Sequence, residues 1–322
     1  MRARAFLLFF GVILPAAAVA QSTWPRHTVR IIATSPPGGS VDFLARALAE
    51  DFGRTFGKPF VVENRPGANG NIGVDLVVKA PADGLMLFVS PPGPFAINAH
   101  LMPAMPFDPE RDIAPVAMLA VAPLLLVVHP SVPAKNLPEL LAWLRAKGGK
   151  ASYASQAVAS TGHLAMELMK SRTGVQAIHV PYKGSAAQAT ADLLAGRVDM
   201  SFVNTSTTLP HIASGRLRAI GVAEPKRIAA APDIPTLAES GLPGFQATTW
   251  LGLGARSGTP RGIIDRLAER ASLALARADV ARRMAALGIE PWPMTPVEFA
   301  AFVRADSAKW ADIIRRSGAK LE

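Results

Sequence analysis

Short apolar runs, each closed by a proline or glycine turn and followed by an amphipathic stretch, recur along this chain. The first is Val29-Arg30-Ile31-Ile32-Ala33, followed by Thr34-Ser35-Pro36-Pro37-Gly38-Gly39; Leu44, Ala45, Leu48 and Ala49 then recur at helical spacing. The pattern predicts a buried strand, ended by prolines that cannot donate to a sheet ladder, and a helix with Ser40 as N-cap. A strand over 59–65, a loop over 66–73, a short helix over 74–79 and a strand over 85–90 follow. Strand, turn, helix, strand is the βαβ signature of a parallel sheet. Apolar runs at 114–118 and 124–128 extend this first block.

A second block repeats the rhythm. Helices are expected over 137–146, 162–172 and 186–195, the last capped by Lys183-Gly184-Ser185, and strands over 151–155, 177–182, 199–204 and 217–222. A strand over 248–254 crosses back. Thr259-Pro260 then opens a helix to about Arg277, and Thr295-Pro296-Val297-Glu298 reads as the capping box of a last helix ending near Gly318. Crossings near 122–125 and 246–250 predict two α/β domains around a hinged cleft, one of residues 21–123 plus 250–322 and one of residues 124–249. Each is expected to be a mostly parallel sheet flanked by helices. Ligands of open α/β sheets sit beyond the carboxyl ends of the strands, where these turns lie. The Pro36-Pro37-Gly38-Gly39 turn suits an anion, since a helix N-terminus offers free N–H groups and partial positive charge; a tight βα turn without a ligand fits the same residues.

Composition narrows the class. Half of the 322 residues are hydrophobic, enough to build two cores. Residues 1–20 read as a cleavable export leader: Arg2 and Arg4, an apolar run over 5–13, and Ala18-Val19-Ala20 before Gln21. A membrane anchor is the competing reading, but the run falls short of the roughly 20 residues a span needs. The mature protein is expected in the periplasm or secreted. With no cysteine, thiolate nucleophiles, disulfides, Cys-ligated zinc and iron–sulfur clusters fall away. The formal charge is +10, yet its basic residues are scattered and not interleaved with aromatics, which argues against nucleic acid. A field that gathers small anions and an ordinary solvated basic surface both fit.

Catalytic signatures are missing. No serine stands in a G-x-S-x-G elbow, and Gly53-Arg54-Thr55-Phe56-Gly57-Lys58-Pro59 has the wrong spacing for a phosphate loop, with proline where a hydroxyl must hold magnesium. Gly67-Ala68-Asn69-Gly70-Asn71-Ile72-Gly73 is not G-x-G-x-x-G. The six histidines show no paired ligand spacing, so neither metal nor cofactor is expected; His163 stands out because it falls in the first turn of a helix.

Several segments carry a family resemblance: Pro36-Pro37-Gly38-Gly39-Ser40-Val41-Asp42, Val61-Val62-Glu63-Asn64-Arg65-Pro66-Gly67-Ala68-Asn69-Gly70-Asn71-Ile72-Gly73, Ser152-Tyr153-Ala154-Ser155, His179-Val180-Pro181-Tyr182-Lys183-Gly184-Ser185 and Pro235-Thr236-Leu237-Ala238-Glu239-Ser240-Gly241. With these the chain resembles the Bug family, periplasmic solute receptors of tripartite tricarboxylate transporters, over nearly its whole mature length. The resemblance implies the two-domain type II periplasmic binding fold closing on a small carboxylate, with no enzymatic activity. One carboxylate group would be held by backbone and bridging waters near residues 36–42, and hydroxyls and N–H groups would come from the loop over 155–163. The candidate binding residues are Ser35, Pro37, Gly38, Gly39, Ser40, Asp42, Ser90, Ser155, Gln156, Ser160, Thr161, His163, Tyr182, Gly184 and Asn204. Expected partners are a di- or tricarboxylate or an aromatic acid, and membrane transporter subunits, with the receptor itself a monomer. Two departures from the family pattern bear on specificity. Gln156-Ala157-Val158-Ala159 stands where the family is glycine-rich, and Val203 stands where an acid that could pair with a ligand amino group often lies, which disfavours amino acids. An exported hydrolase-like enzyme acting on a small anion is the alternative, to be favoured by turnover or by a Ser/His/acid cluster; a scaffold that has lost its pocket is a third.

Overall fold

The computed structural model describes residues 24–102, 104–182 and 186–317, so the leader and the Lys183-Gly184-Ser185 cap lie outside the described residues. Two sheets organise the chain. The first contains β1 (Val29–Ala33), β2 (Phe60–Asn64), β3 (Met86–Ser90), β4 (Ile113–Ala122), β10 (Thr249–Arg256) and β11 (Glu290–Pro291), in the order β11-β4-β10-β3-β1-β2. The second contains β5 (Leu124–Val128), β6 (Ser152–Ser155), β7 (Ile178–Pro181), β8 (Met200–Asn204) and β9 (Arg218–Val222), in the order β7-β6-β8-β5-β9. This is a mixed α/β architecture of two sheets flanked by helices.

Both sheets are mixed, which corrects the expectation of mostly parallel pairing. β1 pairs parallel with β2 and β3, and β6 with β7 and β8. β10 runs antiparallel to both β3 and β4, and β5 antiparallel to β8 and β9. The reason is connectivity: β5 and β10 enter their sheets from the crossings, so they run against the strands built by the local βαβ units. The crossings lie side by side, with Thr249 paired to Ala122, Pro123 alone between β4 and β5, and Ala247 N–H on the Ala223 carbonyl at 2.9 Å.

The helices are α1 (Ser40–Phe56), α2 (Asn71–Val78), α3 (Pro109–Asp112), α4 (Leu137–Lys147), α5 (Thr161–Thr173), α6 (Ala186–Leu194), α7 (Thr205–Ala213), α8 (Arg261–Leu275), α9 (Ala278–Ala286) and α10 (Pro296–Ser317). Ser40 is the first helical residue of α1, not its cap; Gly39 holds the cap position and no side chain caps that end. The anticipated capping box of α10 is formed, with Glu298 N–H on Thr295 Oγ1 and Thr295 N–H on Glu298 Oε2. α7 was not anticipated. The helix expected to reach Arg277 stops at Leu275 and resumes as α9.

One apolar cluster sits between α1, α8 and the first sheet, with Leu44, Leu48, Phe52, Leu253 and Leu267 fully buried. A second extends from Phe95, Trp250, Phe299 and Trp310 beside the first sheet to Leu164, Leu168 and Phe202 beside the second. β10 threads both: a Cβ at Gly252 would collide with the Phe299 ring and one at Gly254 with the Phe88 ring, so the two glycines are what lets the rings cross the strand.

Candidate functional site

The carboxyl ends of β1, β3, β6 and β8 face a common gap. Two adjoining cavities occupy it, an inner one of about 100 Å³ and an outer one of about 330 Å³, sharing Asn69, Pro91 and Gln156 as walls. Among the described residues, no side chain lining either one carries an ionisable group. The walls are hydroxyls, amides, backbone and a few apolar side chains.

On the first lobe the loop over 67–70 lines the outer cavity, and its Asn69 lines both. Gly67, Ala68, Asn69 and Gly70 all hold positive φ, 124°, 46°, 51° and 93°. Such a run is costly for Ala and Asn and persists only where neighbours enforce it. They do. Asn69 Nδ2 donates to Asn98 Oδ1 at 2.7 Å, and Asn98 Nδ2 donates to Asn71 Oδ1 at 2.6 Å. Asn98 is wholly buried, so this chain of amides is rigid. Asn69 also packs on the π-helical turn Gly93–Ile97, where a Cβ at Gly93 would stand 2.7 Å from the Asn69 carbonyl.

On the second lobe, the loop over 156–160 leads into α5. Ser160 caps α5, its Oγ accepting from His163 N–H at 3.4 Å and donating to the Ala157 carbonyl at 2.8 Å. Ala159 holds a left-handed backbone, φ 64°, and its N–H donates to His163 Nδ1 at 3.1 Å. Behind the loop the His163 and His179 rings stack at 4.1 Å, and His179 stacks on Tyr153 at 4.8 Å. Burial pushes both histidines down to about 4, so both are neutral at pH 7. Tyr153 is pushed up, by burial first and by its bond to Glu167 second. That carboxylate takes the Tyr153 hydroxyl at 2.6 Å and the Lys170 ammonium at 2.7 Å.

The sequence candidates divide. Ser35 lines the outer cavity, Ser160, Thr161 and Asn204 the inner one, and Gln156 both. Pro37, Gly38, Gly39 and Ser40 line neither. Asp42 is turned back into its own turn, accepting from Gly38 N–H at 3.0 Å, Asn64 Nδ2 at 2.9 Å and Arg46 Nε at 3.1 Å. Burial alone would raise it, but those donors hold it below the usual carboxylate range. Ser90 and Ser155 are fully buried behind the walls: Thr34 bonds to Ser90 Oγ at 2.9 Å, and Ser155 Oγ reaches the Ala157 carbonyl at 2.8 Å and His179 Nε2 at 2.6 Å. His163 supports the loop from behind. Tyr182 bonds Asp192 at 2.8 Å and lines neither cavity, and Gly184 lies outside the described residues. Asn69, Gly93, Thr207 and Thr249 line the inner cavity and were not among the candidates. The positive-φ cluster at 67–70 was readable only as a loop.

Helix starts converge on this gap: α5 through Ser160, Thr161 and Gly162, α7 through its N-cap Asn204, and α2 through its N-cap Gly70. Neither Asn204 nor Gly70 makes a side-chain cap bond, but the first N–H of α7 is spent on the Pro123 carbonyl at 3.1 Å and that of α2 on the Ala68 carbonyl, so these helices contribute their positive dipole ends more than a free leading N–H.

Comparison with known proteins agrees with this architecture. Residues 44–319 match the family described as tripartite tricarboxylate transporter family receptor. Protein BugT of Bordetella pertussis is 38% identical over 316 residues, 98% of this chain and 97% of that protein. Among solved structures, R. palustris Rpa4515 with adipate superposes with a TM-score of 0.84 at 34% identity, covering 92% of this chain and all of that one. MatC from Rhodopseudomonas palustris with bound malate gives 0.81 at 31% identity, over 90% of this chain and all of its own.

Proposed function

The chain belongs to the tripartite tricarboxylate transporter receptor family, and from that membership and the geometry of the cleft we propose that it is a monomeric, non-enzymatic periplasmic receptor which captures a small organic carboxylate between its lobes. It then delivers the acid to membrane transporter subunits or to a sensor. The observation that carries the reading is a cleft on which three helix N-termini converge and whose walls, among the described residues, carry no ionisable side chain. A carboxylate there meets N–H and O–H donors and positive helix ends, and no acid repels it. At about 10–15 Å³ for each water-sized occupant, the inner cavity of about 100 Å³ suits a small diacid. With no acid among the described residues of the wall, a ligand ammonium finds no partner there, so plain diacids are preferred over amino acids. Residues 21–123 plus 250–322 and residues 124–249 are the two bodies expected to move about the paired crossings.

Among the described residues an enzymatic reading finds a foothold in the Ser155–His179 hydrogen bond. Both Ser155 bonds are spent on its own loop and on the ring, and the hydroxyl is sealed from either cavity. A nucleophile needs access to a substrate carbon, and this one has none.

A thermal-shift panel with malate, adipate, citrate and aspartate, followed by native mass spectrometry, tests the reading. A diacid at 100 times its Kd stabilises by about 2.7 kcal/mol, a clear rise in Tm, and a 1:1 complex forms. The receptor assignment is lost if no carboxylate shifts the Tm or if a bound acid is turned over. Stabilisation by aspartate but not by malate would overturn the preference for plain diacids.

A further inference from the structure

Ala68, Asn69 and Ala159 are the non-glycine residues with positive φ among the described residues, and two of them meet across the cleft. Asn69 Nδ2 of the first lobe approaches the Ala159 carbonyl of the second at 3.4 Å. The same Ala159 peptide unit is gripped from behind, its N–H donating to His163 Nδ1 at 3.1 Å. Nδ1 must therefore carry the lone pair, which puts the ring proton on Nε2, facing Glu167 Oε1 at 3.9 Å.

We propose that His163 is a positioning residue of the carboxylate site: its Nδ1 lone pair holds Ala159 in the left-handed conformation that turns the Ala159 carbonyl toward Asn69 of the opposite lobe. The proposal rests on the receptor reading of the cleft and adds how the second-lobe wall keeps its shape. An alanine does not stay left-handed by preference, and this one is wholly buried with no side-chain reason to do so. The imidazole is fixed strongly enough to impose it. Its face lies on the His179 ring within 7° of parallel; His179 is tied to Ser155 Oγ and stacks on Tyr153, whose hydroxyl binds Glu167. Glu167 and Lys170 on α5, Tyr153 on β6 and His179 on β7 are the titratable groups around the ring, and Lys170 is itself paired to Glu167. Gln156, Ser160, Thr161 and Gly162, which flank the held peptide, all line the inner cavity, so releasing it disorders one wall.

Isothermal titration of the full mature chain with adipate and malate at pH 7.5 tests this. His163→Phe keeps the ring stack but offers no acceptor, and weakens binding at least tenfold; His163→Ala does the same. His163→Asn places Oδ1 where Nδ1 stood and stays within threefold of wild type. In an Ala159→Gly background, where the left-handed backbone is unstrained, His163→Phe loses less than threefold. An asparagine variant as weak as phenylalanine, or an equal loss in both backgrounds, overturns the proposal. Hydrogen exchange of the Ala159 amide, measured without any acid, separates this from the receptor reading. It should quicken at least tenfold in His163→Phe and not in His163→Asn, and an unchanged rate overturns the role of His163. Failure of wild type to bind either acid counts against the receptor reading alone, and the exchange rates still decide the histidine.

Discussion

Asparagine 98 shows how one buried side chain sets the geometry of another. It accepts from Asn69 and donates to Asn71, and it is completely inaccessible to water. Replacing it by leucine, of similar size, takes the Asn98 partner away from an Asn69 Nδ2–H, from Asn71 Oδ1 and from the Asn69 backbone carbonyl. Each stranded group costs about 1–3 kcal/mol. The Asn98→Leu variant should therefore unfold at lower urea with an unchanged m-value, and bind adipate more weakly because Asn69 is no longer oriented. A variant as stable and as tight as wild type would refute the amide chain as a support. Asn69 itself was written in the sequence only as part of a glycine- and asparagine-rich loop. Nothing local says that this turn after β2 supplies a wall to both cavities while Pro37, Gly38 and Gly39 of the turn after β1 line neither. The latter turn spends its acidic residue on itself, with Asp42 closing onto Gly38.

At the level of elements, β10 is where the chain has least freedom. Its glycines leave the space that the Phe299 and Phe88 rings occupy. A methyl group at either site forces an aromatic ring out of its place, and overpacking of this kind costs roughly 1–3 kcal/mol. Gly254→Ala should lower stability by that amount in chemical denaturation, and pairing it with Phe88→Leu should recover most of the loss; failure to recover would show that the ring is not the obstacle. α7 illustrates the opposite case, an element hidden from local reading. Three threonines and Pro210 lower its helix propensity. Tertiary contacts override that, because Thr205 and Thr208 are buried and Thr205 Oγ1 reaches the Pro123 and Gly288 carbonyls at 3.3 and 3.2 Å. The strands and the amphipathic helices were legible because their periodicity is enforced by burial on one side. Pairing direction was not, since a strand carries the same alternation whichever way its neighbour runs.

For the whole molecule, pH acts through groups whose charge the fold suppresses. His163 and His179 are held at about 4 by burial, against an ordinary value near 6.5. Between those limits the unfolded chain binds protons that the folded one refuses, so stability present above pH 6.5 is lost as pH falls toward 4. Glu224, beside the second crossing and bonded to Thr248 at 2.6 Å, is pushed up to about 7 by burial. Its sign is opposite: the folded state keeps a proton the unfolded state releases above about 4.5, so its contribution is lost as pH rises to 7. Two groups outweigh one. Net stability should fall from pH 6.5 toward 4.5, at most by about 1.4 kcal/mol per pH unit for each net proton. In Glu224→Gln the decline should steepen, because the opposing group is gone. A flat Tm across this range, or an unchanged slope in the variant, would contradict the assignment.

By itself the order of residues determined that this is an α/β chain of two repeated blocks, joined by two crossings, with a loop before α5 that carries hydroxyls and N–H groups. Those are local matters of periodicity, capping and turn chemistry, and the segments that mark the family sit on them. Which side chains face the cleft was decided only when the chain closed on itself. Whether a serine or histidine at a strand end points to a ligand or into its own lobe depends on neighbours far along the chain. Ser155, His163 and Tyr182 found partners within their own lobe, and Asn69 found Ala159 ninety residues away across the cleft.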